Sequence, residues 1–335
     1  MPRDWGGVIK GEMKMKIKKS VIGILVLASI SSASSVMAQS YPAKPIKIVV
    51  GFPAGGGTDL FTRLIAAEMT KELGESVVVE NRSGANGVIG ATHVAKSTPD
   101  GYTLMMAVST HIMNSFSYKD LPYKTIEDFS PISALATTPY VLTANMNFPA
   151  KSVKELIAMA KAKPGEIDYA SSGSGSTPHL FQALMNEQAG IQLTHIPYRG
   201  GAPSLTDLLS GQVSLLMQST VQSLPYIKDH RVKALAVTSA QRSEALPDVP
   251  TIAESGLPGY DAEMWWAVLG PKGLPADIQK KLEKTLVGIV NKPEVKDFLV
   301  SQGARSIGST PDELTVIMKD EHAKWEPLFK QGLIK

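Results

Sequence analysis

The chain has 335 residues, of which 43% are hydrophobic, and its formal net charge is +3. A chain of this length and apolar content can bury a large core and is expected to form two domains. It contains no cysteine, which excludes disulfides, thiolate chemistry and lipid attachment to an N-terminal Cys.

The first 38 residues have the pattern of a cleavable secretory signal peptide. A basic stub, MKIKKS, precedes an apolar run, VIGILVLASI, and Val36 and Ala38 occupy the −3 and −1 positions of a cleavage site. A transmembrane anchor is the alternative, but the apolar run is well short of the ~20 residues that span a bilayer. The polar residues before Met13 fit no targeting pattern, which leaves Met13 or Met15 as alternative translation starts.

The positive charge lies in this leader. Residues 1–38 carry six basic and two acidic side chains, so their removal changes the formal charge from +3 to −1. This balance indicates neither nucleic acid nor an anionic membrane surface as a partner. We expect a soluble exported protein without a lipid anchor, and export removes ATP and nicotinamide cofactors from the plausible ligands. No cofactor is expected.

From Tyr41 onward, β-rich runs alternate with helical ones, which predicts an α/β fold with parallel-dominated sheets covered on both faces. Two sets of such units indicate two lobes with a cleft between them. In chain order, strands are expected at IKIVVGF, SVVVE, YTLMMAV, ALATTPYVLTANMNF, IDYA, LTHI, VSLLM, KALAVTS and AEMWWAVLGP.

Helices are expected at about residues 59–73, 87–96, 177–189 and 204–209, near Leu224, and after Ser152, Pro275 and Pro311. Ser152 with Glu155, and Thr310 with Glu313, have the spacing of N-terminal capping residues. The segment STHIMN, residues 109–114, is expected to be a loop, as is the Pro- and Gly-rich segment 242–260.

The stretch VGFPAGGGTD connects the first strand to the first helix. Gly51 and Gly56 have the Walker A spacing, but Gly57 stands where that motif requires Lys, and G-x-G-x-x-G is not matched. Glycines let a ligand approach the backbone, and amides at a helix N-terminus favour an anion. A tight turn without a ligand is the alternative. The candidate ligand residues here are Phe52, Ala54, Gly55, Gly56, Thr58 and Asp59.

A second such element is YASSGSGSTPHLFQAL, in which a strand runs into a Ser/Gly loop and Pro178 opens a helix. Its candidate ligand residues are Ser172, Gly173, Gly175, Ser176, Thr177 and His179. An ordinary flexible loop is one alternative. A hydrolase using Ser174 or Ser176 with His179 is another, although the G-x-S-x-G elbow is absent.

Three further loops are expected on the same side, at residues 109–114, 197–204 and 217–223. They add Thr110, His111, Tyr198 and Arg199 as candidates. Arg199 could grip a carboxylate in bidentate fashion or fix its own loop. Asp59 and Asp207 lie near helix starts and are expected to order their loops. The six histidines show no metal-ligand spacing, so no metal site is expected.

In open α/β sheets, ligands lie beyond the carboxyl ends of the strands. The two loops, facing each other across a cleft, could therefore hold the polar ends of a small acid. Backbone amides recognise any carboxylate, so the identity of the acid is not encoded in these motifs. Selectivity is expected to depend on residues such as Phe52, His111, Met113 and Tyr198.

Several long segments resemble the extracytoplasmic solute receptors of tripartite tricarboxylate transporters, also called Bug receptors. The resemblance runs from Tyr41 to Lys335, and the segments occur in the family's order. They are YPAKPIKIVVGFPAGGGTDLFTRLIA, VVENRSGANGVIGATHVAKSTPDGYTL, SSGSGSTPHL, IPYRGGAPSLTDLLSGQV and ALAVTSAQRSEALPDVPTIAESGLPGY.

The resemblance implies a type II periplasmic-binding-protein fold, with lobe 1 at residues 39–142 and 263–335 and lobe 2 at residues 143–262. It implies that residues 52–59 and 172–179 contact the ligand, partly through ordered waters. It also implies a monomeric, non-enzymatic receptor that captures a small mono- or dicarboxylate and delivers it to the membrane subunits of a transporter. A receptor signalling to a membrane sensor kinase is the alternative on the same fold.

The chain departs from the family pattern at three places. Ser214 stands where the family often has Asp, Asp229-His230 replaces a common Gly-Lys, and Ala267 replaces a common Gly. None lies in the two main loops, so the departures bear on hinge detail rather than on receptor function.

Overall fold

The computed structural model describes Met1, residues 41–330 and Gly332. Apart from Met1, the predicted signal peptide and its cleavage site lie outside the described residues. Among the helices described, none is both long and apolar enough to cross a membrane. The architecture below is that of the unit Lys44–Lys335.

Strands and helices alternate along most of the chain, as predicted. The strands are β1 Ile46–Val50, β2 Val77–Asn81, β3 Thr103–Val108, β4 Phe129–Asn145, β5 Asp168–Ser171, β6 Thr194–Pro197, β7 Leu215–Ser219, β8 Val232–Val237, β9 Glu263–Pro271 and β10 Arg305–Ser306. The helices are Gly57–Leu73, Val88–Ala95, Thr110–Ser117, Val153–Ala162, Thr177–Ala189, Gly201–Ser210, Thr220–Lys228, Ala276–Val290, Pro293–Ser301 and Pro311–Lys330.

The strands form a mixed sheet in the order β2-β1-β3-β9-β4-β7-β5-β6, with β8 and β10 also pairing with β4. The pairs β1–β2, β1–β3, β5–β6 and β5–β7 are parallel. Antiparallel pairing is confined to pairs that include β4 or β9. Two βα sets, each with its own parallel strands, are thus joined through two long strands.

Strand β4 is shared by the two halves. Its first part, from Phe129 to Pro139, pairs with β9, and its second part, from Tyr140 to Asn145, pairs with β7 and β8. The change of partner between Pro139 and Tyr140 marks where the chain passes from one half to the other.

The C-terminal helix Pro311–Lys330 completes the core of the first half. Leu314 and Met318, both at most 2% exposed, pack in one cluster with Val49 of β1, Met105 of β3 and Leu269 of β9. Apolar burial of this kind is the main favourable term in folding.

The prediction of a loop at residues 109–114 is wrong, because the segment forms the helix Thr110–Ser117. Its Thr, His, Asn and Ser residues are weak helix formers. Ile112 and Met113 are at most 1% exposed, so tertiary burial rather than local propensity stabilises this helix. The helix Pro293–Ser301 and strand β10 were not predicted.

Both predicted capping pairs form hydrogen bonds. Ser152 Oγ accepts the Glu155 N–H at 3.2 Å, and the Glu155 carboxylate accepts the Lys151 N–H at 2.7 Å. Thr310 and Glu313 exchange bonds in both directions, at 2.8 and 3.3 Å. These contacts satisfy amides that lack partners at a helix start.

Candidate functional site

The first half presents its loops at one edge of the sheet. Strands β1, β2 and β3 are parallel, so the chain leaves each of them at the same edge. The first glycine-rich loop follows β1 there, and the segments after β2 and β3 flank it. Ala54, Gly55 and Gly56 are exposed, whereas Phe52 and Thr58 are half-buried.

The Asp59 carboxylate, only 2% exposed, folds this loop against the sheet. Its Oδ2 accepts the Gly55 N–H and the Arg63 Nε–H, each at 2.9 Å. Its Oδ1 accepts the Asn81 amide at 2.9 Å, and that amide also donates to the Phe52 carbonyl at 3.0 Å. The Arg63 hydrogen bond, with the Gly55 and Asn81 donors, lowers the pKa of Asp59 to about 2 despite its burial. Asp59 therefore orders its loop, as its position predicts.

Strand β9 supports the start of the same helix. Trp266 Nε1–H donates to the Thr58 hydroxyl at 3.2 Å, and its ring lies 5.0 Å from that of Phe61, centroid to centroid. The loop between β1 and the helix is thus held at both ends, and its central glycines are exposed to solvent.

A turn after β2 packs beside this loop. A Cβ built on Gly51 would lie 2.6 Å from the Gly87 Cα, and one built on Gly87 would lie 3.7 Å from the Phe52 ring. Asn86 in this turn has the left-handed conformation, at φ 52° and ψ 35°, which Asn tolerates better than most residues. The Asn114 amide donates to the Asn86 carbonyl at 3.1 Å.

The second glycine-rich loop follows β5 and closes on itself. The Gly173 carbonyl accepts the Ser176 hydroxyl at 2.6 Å and the Ser176 N–H at 3.2 Å. The Gly173 N–H donates to Ser171 Oγ at 3.1 Å. The Gly175 N–H donates to His179 Nδ1 at 3.1 Å. These amides have partners within the loop, whereas the first-turn amides of the helix Thr177–Ala189 have no helical acceptor.

The second loop approaches the first half at Asn86 and Ser117. A Cβ built on Gly175 would lie 3.7 Å from Asn86 Nδ2 and 3.7 Å from Ser117 Oγ. Asn86 in turn adjoins Phe52 through Gly87. The second loop therefore faces the first half at the same edge as the first loop.

Thr110 and His111 are buried in the helix Thr110–Ser117. His111 Nε2 lies 2.8 Å from the Thr125 carbonyl oxygen, and its ring stacks on Tyr123 at 5.6 Å. Burial lowers the pKa of His111 to about 4, so this ring is neutral at pH 7. A cavity of about 10 Å³, the space of about one water, is lined by Phe52, Asn86, Thr110, His111 and Asn114.

Tyr198 and Arg199 follow β6, beside the second loop. The Tyr198 N–H donates to the Ser171 carbonyl at 3.0 Å, and its hydroxyl donates to Asp207 Oδ2 at 2.6 Å. Burial, followed by the Asp207 carboxylate, raises the pKa of Tyr198 to about 12. Asp207 thus anchors this loop through Tyr198, but it lies toward the end of the helix Gly201–Ser210 and not near a helix start as predicted. Arg199 is exposed, and no hydrogen bond or ion pair holds its guanidinium within the part of the chain that the structure describes.

Ser176 and His179, the pair of the hydrolase alternative, are not hydrogen-bonded to each other as a nucleophile and its base would be. Ser176 donates to the Gly173 carbonyl, and His179 accepts from the Gly175 amide. In residues 41–330, no three His, Cys, Asp or Glu side chains are grouped so that they could hold a metal ion.

Sequence reasoning missed four polar residues of this region, Asn81, Asn86, Asn114 and Ser117. Asn81 and Asn86 lie in the quoted segment VVENRSGANG. For Asn86, turn chemistry is a usable signal, since Asn tolerates left-handed backbone, whereas Asn81 ends strand β2 and gives no such signal. Asn114 ends the segment that the sequence predicts to be a loop, and Ser117 lies three residues beyond it.

The chain matches the family model described as "Tripartite tricarboxylate transporter family receptor" over residues 61–333. Protein BugT of Bordetella pertussis is 37% identical over 326 residues, which cover 95% of this chain and 98% of BugT.

Three solved structures share the fold. The periplasmic binding protein BugD is 36% identical, with TM-score 0.78, and the match covers 88% of this chain and 100% of BugD. Rpa4515 of R. palustris, solved with adipate, is 36% identical, with TM-score 0.80 and coverage of 88% and 99%. MatC of Rhodopseudomonas palustris, solved with bound malate, is 31% identical, with TM-score 0.77 and coverage of 86% and 100%. These likenesses confirm the predicted two-lobed, α/β periplasmic-binding-protein fold.

Proposed function

Since the chain belongs to the tripartite tricarboxylate transporter receptor family, we propose that it is a periplasmic receptor that captures a small organic carboxylate between its lobes. It delivers the acid, unaltered, to the membrane subunits of a tripartite transporter. The family and its structural neighbours are solute-binding receptors rather than enzymes. The adipate and malate in two neighbours support a mono- or dicarboxylate as the solute.

One observation carries the proposal, the approach of Gly175 in one half to Asn86 and Ser117 in the other. It brings the start of the helix Thr177–Ala189 close to the first half, and amides at helix starts favour carboxylates. The proposed contacts come from both halves and include the buried Thr110 and His111 at the 10 Å³ cavity. They are Phe52, Ala54, Gly55, Gly56, Thr58, Asp59, Thr110, His111, Ser172, Gly173, Gly175, Ser176, Thr177, His179, Tyr198 and Arg199.

The proposed lobes are residues 39–142 with 263–335, and residues 143–262. The partner change of β4 between Pro139 and Tyr140 supports a boundary in that strand. Periplasmic location rests on the signal-peptide pattern of residues 1–38. Mass spectrometry of the protein from a periplasmic extract should give an N-terminus at Gln39, and an uncleaved chain would contradict it.

The test is a thermal-melting screen of purified protein against mono-, di- and tricarboxylates, with adipate and malate included. An acid at ~100 times its Kd stabilises the folded state by about 2.7 kcal/mol. The melting temperature should then rise by several degrees. Mass spectrometry should recover the acid unchanged. If none of the acids shifts the melting temperature, or if the protein hydrolyses an ester, the receptor proposal is refuted. Light scattering should report a monomer.

A further inference from the structure

Three aromatic rings lie stacked beside the second glycine-rich loop, one from each of three successive elements. Tyr169 of β5 stacks on His195 of β6 at 4.9 Å, and His195 stacks on His179 at 4.0 Å with 13° between the ring planes. Tyr169 and His179 are at most 9% exposed. The stack places the His195 ring in a fixed orientation.

His195 Nε2 lies 2.6 Å from Ser171 Oγ. A hydroxyl has one proton to donate, and Ser171 has two candidate acceptors, this nitrogen and the Gly173 carbonyl at 3.1 Å. The Gly173 carbonyl already accepts the Ser176 hydroxyl and the Ser176 N–H, which fills its two lone pairs. The Ser171 hydroxyl is therefore assigned as the donor to His195 Nε2, the nearer acceptor, which places the imidazole proton on Nδ1.

This assignment leaves an Oγ lone pair for the Gly173 N–H, which donates to it at 3.1 Å. The bonds form a chain from the Gly173 amide through the Ser171 hydroxyl to His195. Gly173 has φ 129°, a conformation open to glycine, so side-chain sterics do not fix the turn. Hydrogen bonds hold it instead, this chain at the Gly173 N–H and the two Ser176 bonds at the Gly173 carbonyl.

We propose that His195 is a positioning residue for solute binding, which acts through Ser171 to hold the Gly173 turn in the shape that faces Asn86. The inference rests on the proposed function, because it assigns the turn to the solute site. His195 need not touch the solute, and its contribution depends on an acceptor at the Nε2 position.

The first experiment needs no ligand. Amide exchange at Gly173 is measured by NMR in the wild type, His195→Phe, His195→Gln and His195→Asn. Phe keeps the stacked ring but has no acceptor, Gln carries an amide near the Nε2 position, and Asn reaches only the Nδ1 position. We expect about tenfold faster exchange in the Phe and Asn variants, because each loses one buried hydrogen bond. The Gln variant should exchange within about twofold of the wild-type rate.

The second experiment measures affinity for adipate and malate by calorimetry. His195→Phe and Ser171→Ala should each weaken binding about tenfold, and the double variant should be no weaker than either single variant, because both remove the same bond. His93→Phe, on the helix Val88–Ala95, is the matched control and should leave affinity unchanged.

Equal exchange and affinity in His195→Phe and the wild type would overturn the inference. Equal loss in His195→Gln and His195→Phe would also overturn it, since packing alone would then explain the effect. If the wild type binds neither adipate nor malate, these acids are not its solutes, and the predicted effect of His195 on their affinity is refuted. The exchange measurement would still decide whether His195 positions the turn.

Discussion

Individual side chains hold the first loop in its conformation. Asp59 accepts three hydrogen bonds, from the loop, from its own helix and from β2. Because the carboxylate is buried and all three donors converge on it, removing its charge affects every one of these contacts.

Asp59→Asn should therefore lower the free energy of unfolding by about 2–4 kcal/mol. The new amide replaces an accepting oxygen with a donor, which then faces another N–H. Urea unfolding measures the change. Asp277→Asn is the control, because that carboxylate lies exposed in the first turn of another helix and should cost ~0.3–1 kcal/mol. Equal losses in the two variants would contradict the assigned role of Asp59.

His111 predicts a pH dependence of stability. Burial lowers its pKa to about 4 in the folded state, against about 6.5 in an unfolded chain. The unfolded state therefore binds more protons between these values, so stability falls as the pH falls from about 6.5 toward 4. The ring faces Tyr123, Phe129 and the Thr125 carbonyl, and none of these supplies a charge that would offset protonation.

His111→Phe should flatten this dependence by about 3 kcal/mol between pH 7 and pH 4, whatever its effect at neutral pH. Chemical denaturation at several pH values measures it, and His230→Asn, at an exposed turn, should keep the wild-type slope. An unchanged slope in His111→Phe would show that this group is not buried and neutral.

At the scale of elements, the end of β1 packs directly on the turn that carries Asn86. A Cβ on Gly51 would meet the Gly87 backbone at 2.6 Å, whereas one on Gly57 would meet nothing within 4 Å. The backbone at Gly87 cannot rotate away as a flexible side chain would. The approach of these two segments therefore requires glycine at position 51.

Gly51→Ala should destabilise the protein by about 1–3 kcal/mol and weaken carboxylate binding, because it displaces the Asn86 turn. Gly57→Ala, at the first position of a helix, should change stability by no more than about 1 kcal/mol. Thermal melting with and without adipate compares the two. Similar melting temperatures for both variants would mean that the turn carrying Asn86 can move to accommodate the new Cβ without loss of stability.

Local patterns predicted those elements whose signals are themselves local. The helix Thr177–Ala189 was predicted to the residue, since Pro178 marks its first turn and Gly190 its end. The helix Thr110–Ser117 was not predicted, because burial of Ile112 and Met113 stabilises it. The two glycine-rich loops were likewise recognisable, each lying between a strand and a helix. The nearness of Asn86 and Ser117 to Gly175 was not, because no local pattern records a contact between distant segments.

For the whole molecule, β4 and β9 connect the two halves, with Pro139 of β4 opposite Glu263 of β9. If the lobes close on their solute, the population should shift toward a more compact state. Small-angle scattering should then give a smaller radius of gyration with saturating adipate or malate than without. Acetamide, which has no charge, is the control and should cause no change. An identical radius in the presence of a bound acid would contradict closure.

The place of β9 in the sheet also bears on how the chain folds. Strand β9 lies between β3 and β4 and pairs Met105 with Leu269, residues that are separated by about half of the sequence. Until β9 has been synthesised, both of its neighbours present unpaired edges, and such edges invite aggregation. Formation of this pair closes a very long loop, which raises contact order and slows folding. A chain that stops before Glu263 would therefore be a client for chaperones rather than a smaller folded domain.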